Sequence, residues 1–157
     1  MKPKTSVALM IATILCIVAL VANAQTKPNL SGEWKMNPEK SKFTGGGPDS
    51  IVIKIDHKEP ALTEDWSIST PDGQRSFQAK YTTDGKETEQ QVMGRTAKTS
   101  AKWVGDALVI EFKEKESGGF FNRKITLSAD GKTMTKVVTQ SNGGGESAED
   151  TVVFEKQ

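Results

Sequence analysis

The chain has 157 residues, with 21 Lys and Arg against 20 Asp and Glu, one cysteine and one histidine. Near-neutral charge with both signs interspersed excludes the electrostatic footprint of a nucleic-acid or anionic-membrane binder. A lone Cys16 excludes an internal disulfide framework, and a lone His57 excludes a metal site built on two histidines.

The chain opens with Lys2 and Lys4, an uncharged apolar stretch from Val7 to Val21, and the small-residue run Ala22-Asn23-Ala24. This is the pattern of a secretory signal peptide cleaved after Ala24, and the apolar stretch is short for a spanning helix. Acylation at Cys16 would need a small residue before it, and Leu15 stands there. The expected organisation is a leader over 1–24 and one domain over 25–157, exported to a periplasm or the extracellular space. Its mature part has no cysteine and no membrane segment, so the fold rests on packing and hydrogen bonds.

GEWKM (32–36) reads as a first strand. The following Asn37-Pro38-Glu39-Lys40-Ser41 offers an N-cap, a Pro at the first helical position and an acid in the first turn, which predicts one short helical turn near 38–42. Thr44-Gly45-Gly46-Gly47-Pro48 cannot continue a helix, and is expected to be a mobile linker or a loop that moves over a barrel mouth.

From Ser50 onward, stretches of alternating polarity about 7–10 residues long are rich in Val, Ile, Thr and aromatics and end in turn residues. They are SIVIKIDH (50–57), ALTEDWSIST (61–70), QRSFQAKYTT (74–83), DALVIEFKEK (106–115), FFNRKITLS (120–128), KTMTKVVTQS (132–141) and SAEDTVVFEK (147–156). Pro71-Asp72-Gly73, Asp84-Gly85, Gly105-Asp106, Gly118-Gly119, Asp130-Gly131 and Asn142-Gly143-Gly144-Gly145 supply the turns. Two weaker strands, 87–94 and 95–104, have only Gly94 between them, so a bulge or bend is expected there. The sum is an all-β protein, an antiparallel up-and-down meander of about eight to ten strands. Closure into a barrel would remove its two exposed edges.

Alternation also sorts side chains by face. Phe77, Ala79 and Tyr81 share one, as do Ala97, Thr99, Ala101 and Trp103, then Leu108, Ile110 and Phe112. Rings mixed with small residues leave room for some cavity in a barrel of eight or more strands. Arg123 falls on the apolar face of its strand with Phe121, Ile125 and Leu127, so it needs a partner if buried. Glu64, on the face of Leu62, Trp66 and Ile68, is one; a cation–π contact with Trp34 is another.

Asn29-Leu30-Ser31-Gly32-Glu33-Trp34 carries a G-x-W pattern at the predicted first strand, and resembles the first motif of the lipocalins and related calycin barrels. The wider pattern NLSGEWKMNPEKSKF, KYTTDGKE, TAKTSAKWVGDALVIEF, LSADGKTMT and VVFEK resembles small exported bacterial proteins described as lipocalin-like. The resemblance implies a calycin-type barrel that takes small apolar ligands. It implies that Gly32 and Trp34 close one barrel end with Arg123 as the candidate arginine across the tryptophan. The other lipocalin motifs and the long C-terminal helix have no counterpart here.

Little points to catalysis. His57, before Glu59-Pro60, reads as a solvated turn residue; Glu87 and Glu89, like Glu114 and Glu116, read as solvated strand faces. The glycine clusters lack the strand–helix setting of a phosphate loop. No cofactor, metal or catalytic set is expected. The expected function is therefore binding of a small, mainly apolar molecule in the lumen, with Trp66, Phe77, Tyr81, Trp103 and Phe112 as lining and Arg123 near one end. The alternative is an envelope interaction protein with a filled barrel and an exposed apolar patch, its protein partner unknown.

Overall fold

The computed structural model describes residues 27–92, 94–115, 117–141 and 147–157. The leader over 1–24 and the Asn142–Gly145 turn lie outside the described residues. Ten strands follow one another: β1 (Gly32–Met36), β2 (Ser50–Lys58), β3 (Ala61–Thr70), β4 (Gly73–Thr82), β5 (Thr88–Val92), β6 (Arg95–Val104), β7 (Ala107–Glu114), β8 (Phe120–Leu127), β9 (Thr133–Ser141) and β10 (Ser147–Lys156). All are antiparallel to their neighbours in one sheet of order β4-β3-β2-β1-β10-β9-β8-β7-β6-β5.

Each strand pairs with its sequence neighbour, except that β4 and β5 share no ladder; β1 then pairs with β10, Met36 opposite Phe154, and the ribbon curls on itself. The edges β4 and β5 face each other across a seam, where the connecting chain reaches past β5 to β6: Asp84 bridges Lys102, and Gly85 N donates to Ala101 O at 2.9 Å. The bend expected around Gly94 is instead a regular hairpin, Val92 opposite Arg95, with Gly94 at φ +80° supplying a positive φ that most residues avoid.

The segment near 38–42 is a turn, and no helix forms among the described residues. Asn37 does cap it, its Oδ1 accepting from Glu39 N at 3.0 Å and Lys40 N at 3.1 Å. The helix is pre-empted because Lys42 re-enters the sheet, exchanging backbone bonds of 2.7 and 2.9 Å with Thr151. The N-cap signature therefore serves a loop that interrupts the pairing of β1 with β10, which resumes at Lys42.

The two barrel ends differ. Where β1 begins and β10 ends, Leu30, Trp34, Ile53, Leu62, Leu108, Ile110, Ile125, Met134 and Phe154 interdigitate and are almost wholly buried, a filled core. Where β1 ends and β10 begins, inward-facing Trp66, Ile68, Phe77, Phe112 and Phe121 are only half-buried. We call this second end the mouth. The connection between β1 and β2 lies there, with Phe43 packed on the core and Gly47 against its ring, since a Cβ at Gly47 would lie 2.3 Å from Phe43 Cδ2.

Candidate ligand site

The mouth is lined by two cross-strand ring pairs. Trp66 of β3 stands opposite Phe77 of β4, centroids 5.6 Å apart and nearly parallel at 9°. Phe112 of β7 stands opposite Phe121 of β8, 6.4 Å apart and edge to face at 85°. Strand alternation puts all four rings on the inner face, and ring pairs in these geometries add stability beyond their buried area.

Below them lies a floor of buried polar side chains. Glu64 is fully buried; its Oε2 accepts from Arg123 Nη1 at 2.8 Å and Trp66 Nε1 at 3.0 Å, and its Oε1 accepts from Lys136 Nζ at 2.8 Å. Arg123 Nη2 also donates to Tyr81 Oη. The guanidinium lies over Trp66 at 5.3 Å, Tyr81 at 5.5 Å and Phe121 at 5.6 Å, so it joins the β3–β4 wall to the β8 wall. Lys136 Nζ lies 4.5 Å from the Trp66 centroid and 5.7 Å from Phe154.

Two buried cations thus share one carboxylate, which leaves the floor with an excess positive charge. Arg123 Nε is buried with no hydrogen-bond partner. Burial alone would raise the Glu64 pKa, but Arg123 and Lys136 overcome it and hold the carboxyl down to about 2. Burial lowers Lys136 to about 8, with Arg123 adding to the effect and Glu64 opposing it. Burial likewise raises the Tyr81 phenol, which stays neutral. Both Glu64 oxygens accept from buried donors, so it is held ionised rather than poised to carry protons.

Of the expected lining residues, Trp66, Phe77 and Phe112 come together at the mouth, while Tyr81 lies deeper, in the floor. Trp103 does not join them. It sits near the closed end, where its Nε1 donates to Glu59 Oε1 at 2.6 Å and its ring lies 5.9 Å from His57. His57 is no solvated turn residue: its side chain is 3% exposed, Nδ1 accepts from Leu30 N at 3.2 Å, and Nε2 meets Glu59 Oε1 at 2.9 Å. Its odd-numbered face, shared with Ile51, Ile53 and Ile55, carries it inward with the core.

Trp34 is fully buried and donates from Nε1 to Leu30 O at 2.9 Å. The cation over its ring is not Arg123 but Lys156, at 5.3 Å. Gly32, at φ +136°, admits that lysine, since a Cβ there would lie 2.7 Å from Lys156 Cε. Arg123 is held away by Glu64, the other partner expected for it. Lys136 was not singled out in the sequence, although 134, 136 and 138 share a face with Met and Val, the signal that marked Arg123.

A second hollow, about 340 Å³, opens outside the barrel between Met36, Pro38 and Glu155. Its Glu155 is already paired, with Lys40 at 2.9 Å. Among the described residues no cluster of His, Cys, Asp and Glu could hold a metal ion.

No family model and no curated protein matches the sequence. Among solved structures the chain is similar to the REP1-NXSQ fatty acid transporter, at 15% identity and a TM-score of 0.60 over 82% of this chain and 96% of that one. It is similar to the zebrafish ileal bile acid-binding protein complexed with cholic acid, at 16% and 0.57 over 82% and 98%. It is also similar to secretory abundant heat soluble protein 4 from Ramazzottius varieornatus, at 12% and 0.59 over 86% and 99%. Identities this low establish a common calycin-type barrel fold and no more.

Proposed function

We propose that this protein is a non-enzymatic carrier that seats a small, mainly apolar molecule among the mouth rings, with a negatively charged end toward Arg123. One observation carries the reading: half-covered inward-facing rings stand above a buried, positively unbalanced floor whose Arg123 Nε has no acceptor. Apolar walls supply affinity and a few convergent polar groups fix orientation, the usual division of labour in small-molecule sites. An acceptor on Nε would relieve a buried donor that is costly to leave unpaired. The names of the similar structures, a fatty acid transporter and a bile acid-binding protein, support the carrier class.

The filled-barrel interaction protein would present a contiguous apolar patch, whereas among the described residues Val104 is the one large apolar side chain that is exposed. We also propose export after cleavage following Ala24, on the pattern of residues 1–24. Intact mass and N-terminal sequencing of the protein from culture medium and cell fractions check this, and a chain that retains Met1 overturns it.

The carrier reading is tested by thermal shift of the mature protein against panels of apolar monoanions and their neutral methyl esters. A ligand at a hundredfold excess over its Kd adds about 2.7 kcal/mol to stability. The expected result is stabilisation by at least one anion class, weaker with its ester and reduced in Arg123→Met. Absence of any shift across both panels overturns the proposal.

A further inference from the structure

From the shape and chemistry of the mouth we infer that its ligand is a compact, planar aromatic or conjugated monoanion, not a long acyl chain; this rests on the carrier reading above. The first ground is depth. Arg123 spans the lumen from Trp66 and Tyr81 to Phe121, and everything beneath it is packed core. The apolar part of the cup, read along β3, therefore runs only from Glu64 to Ile68, two residues short of the strand's end at Thr70. Four residues rise about 13 Å along a strand, or about 10 Å along the barrel axis at a tilt of about 40°. A fatty acyl chain fills one leaflet of a hydrocarbon core about 30 Å thick, so stretched out it needs about 15 Å.

The second ground is lining. Most of the fully buried aliphatic side chains stand toward the closed end, and at the mouth Ile51, Ile68 and Val152 sit on the β2, β3 and β10 side, away from β5 and β6. The mouth holds the ring pairs Trp66–Phe77 and Phe112–Phe121, and the β5–β6 wall between them is polar: Gln90 Nε2 donates to Thr99 Oγ1 at 2.6 Å, and Thr88 and Thr99 hydroxyls meet at 3.2 Å. A flexible chain gains nothing specific from ring faces and would press methylenes against hydroxyls and amides. A flat π system can offset-stack on Trp66 and Phe77, take the Phe112 and Phe121 edges, and turn its polar rim to β5–β6. Its anionic substituent then points at Arg123.

The test compares 2-naphthoate and 9-anthracenecarboxylate with decanoate and palmitate by titration calorimetry on the mature protein, all below their critical micelle concentrations. We expect the planar acids to bind one to one and at least tenfold more tightly than either fatty acid. Equal or tighter binding of the fatty acids overturns this inference and leaves the carrier reading standing. No binding by any of the four, with a blank anion panel, overturns both. Phe77→Leu keeps an apolar side chain but removes a ring face on the edge strand. It should weaken 2-naphthoate about 2–10-fold and leave decanoate unchanged. An equal loss for both ligands speaks against ring recognition.

Discussion

Glu64 is the residue on which the interior turns. It is the one carboxylate shared by two buried cations, so removing its charge strands both, and Glu64→Gln should cost about 3–5 kcal/mol in urea unfolding. Its folded pKa, about 2, lies below the ordinary 4.5, so its stabilisation is complete above pH 4.5 and fades as pH falls from 4.5 toward 2. Urea midpoints measured across that window should drop in the wild type and much less in Glu64→Gln. Lys136 works the other way: between pH 8 and 10.5 the unfolded chain holds the proton that the folded chain sheds, so its contribution makes stability rise with pH over that interval. A second expectation concerns pairing. Arg123 and Glu64 touch, so their double substitution should be strongly non-additive, whereas Trp34 and Arg123 have different partners and should add to within about 0.5 kcal/mol. Strong coupling between Trp34 and Arg123 would contradict the arrangement described.

At the scale of elements, the seam sets the expectations. On their facing edges β4 and β5 lack ladder partners, so amides there should exchange with deuterium faster than those of β2 or β9, which are paired on both sides. Equal protection around the barrel would mean that the seam is zipped in solution. Seven of these ten strands coincide, to within a residue or so at each end, with alternating runs bounded by turn residues, which is why the meander is legible: Asp84-Gly85 and Asp130-Gly131 mark turns through local backbone preference alone. The helical turn at 38–42 misled because Asn37 caps a loop as readily as a helix, and the deciding contact is with Thr151, more than a hundred residues away. The same limit applies at the site. Alternation put Arg123, Glu64 and Trp66 on inner faces, but which of them meet depends on how far each strand is displaced around the barrel. For that reason alternation alone allows Arg123 either Trp34 or Glu64 as its partner, and groups Trp103 with rings that stand at the opposite end.

Across the whole molecule, the filled core and the proposed ligand site lie at opposite ends. Truncation in the filled end, such as Ile53→Ala or Leu108→Ala, should cost about 2–5 kcal/mol by leaving a cavity in close-packed surroundings. Phe112→Leu at the mouth replaces a half-buried ring with a side chain that is apolar too, and should cost under about 1.5 kcal/mol while changing ligand affinity. If mouth substitutions prove as destabilising as those in the core, the two ends are not separable. The seam has a further, mechanical consequence. A barrel bonded all the way round has a fixed girth, because widening it anywhere breaks backbone hydrogen bonds. This one is a split ring, held across β4 and β5 by the chain that bridges to β6. A guest wedged into the rim can spread it there without breaking a rung, and Phe77, on the strand that forms one lip, would swing with the gap. The tolerance for guests of different width should therefore lie on the Phe77 side, while Phe112 and Phe121, between continuous ladders, act as the fixed jaw.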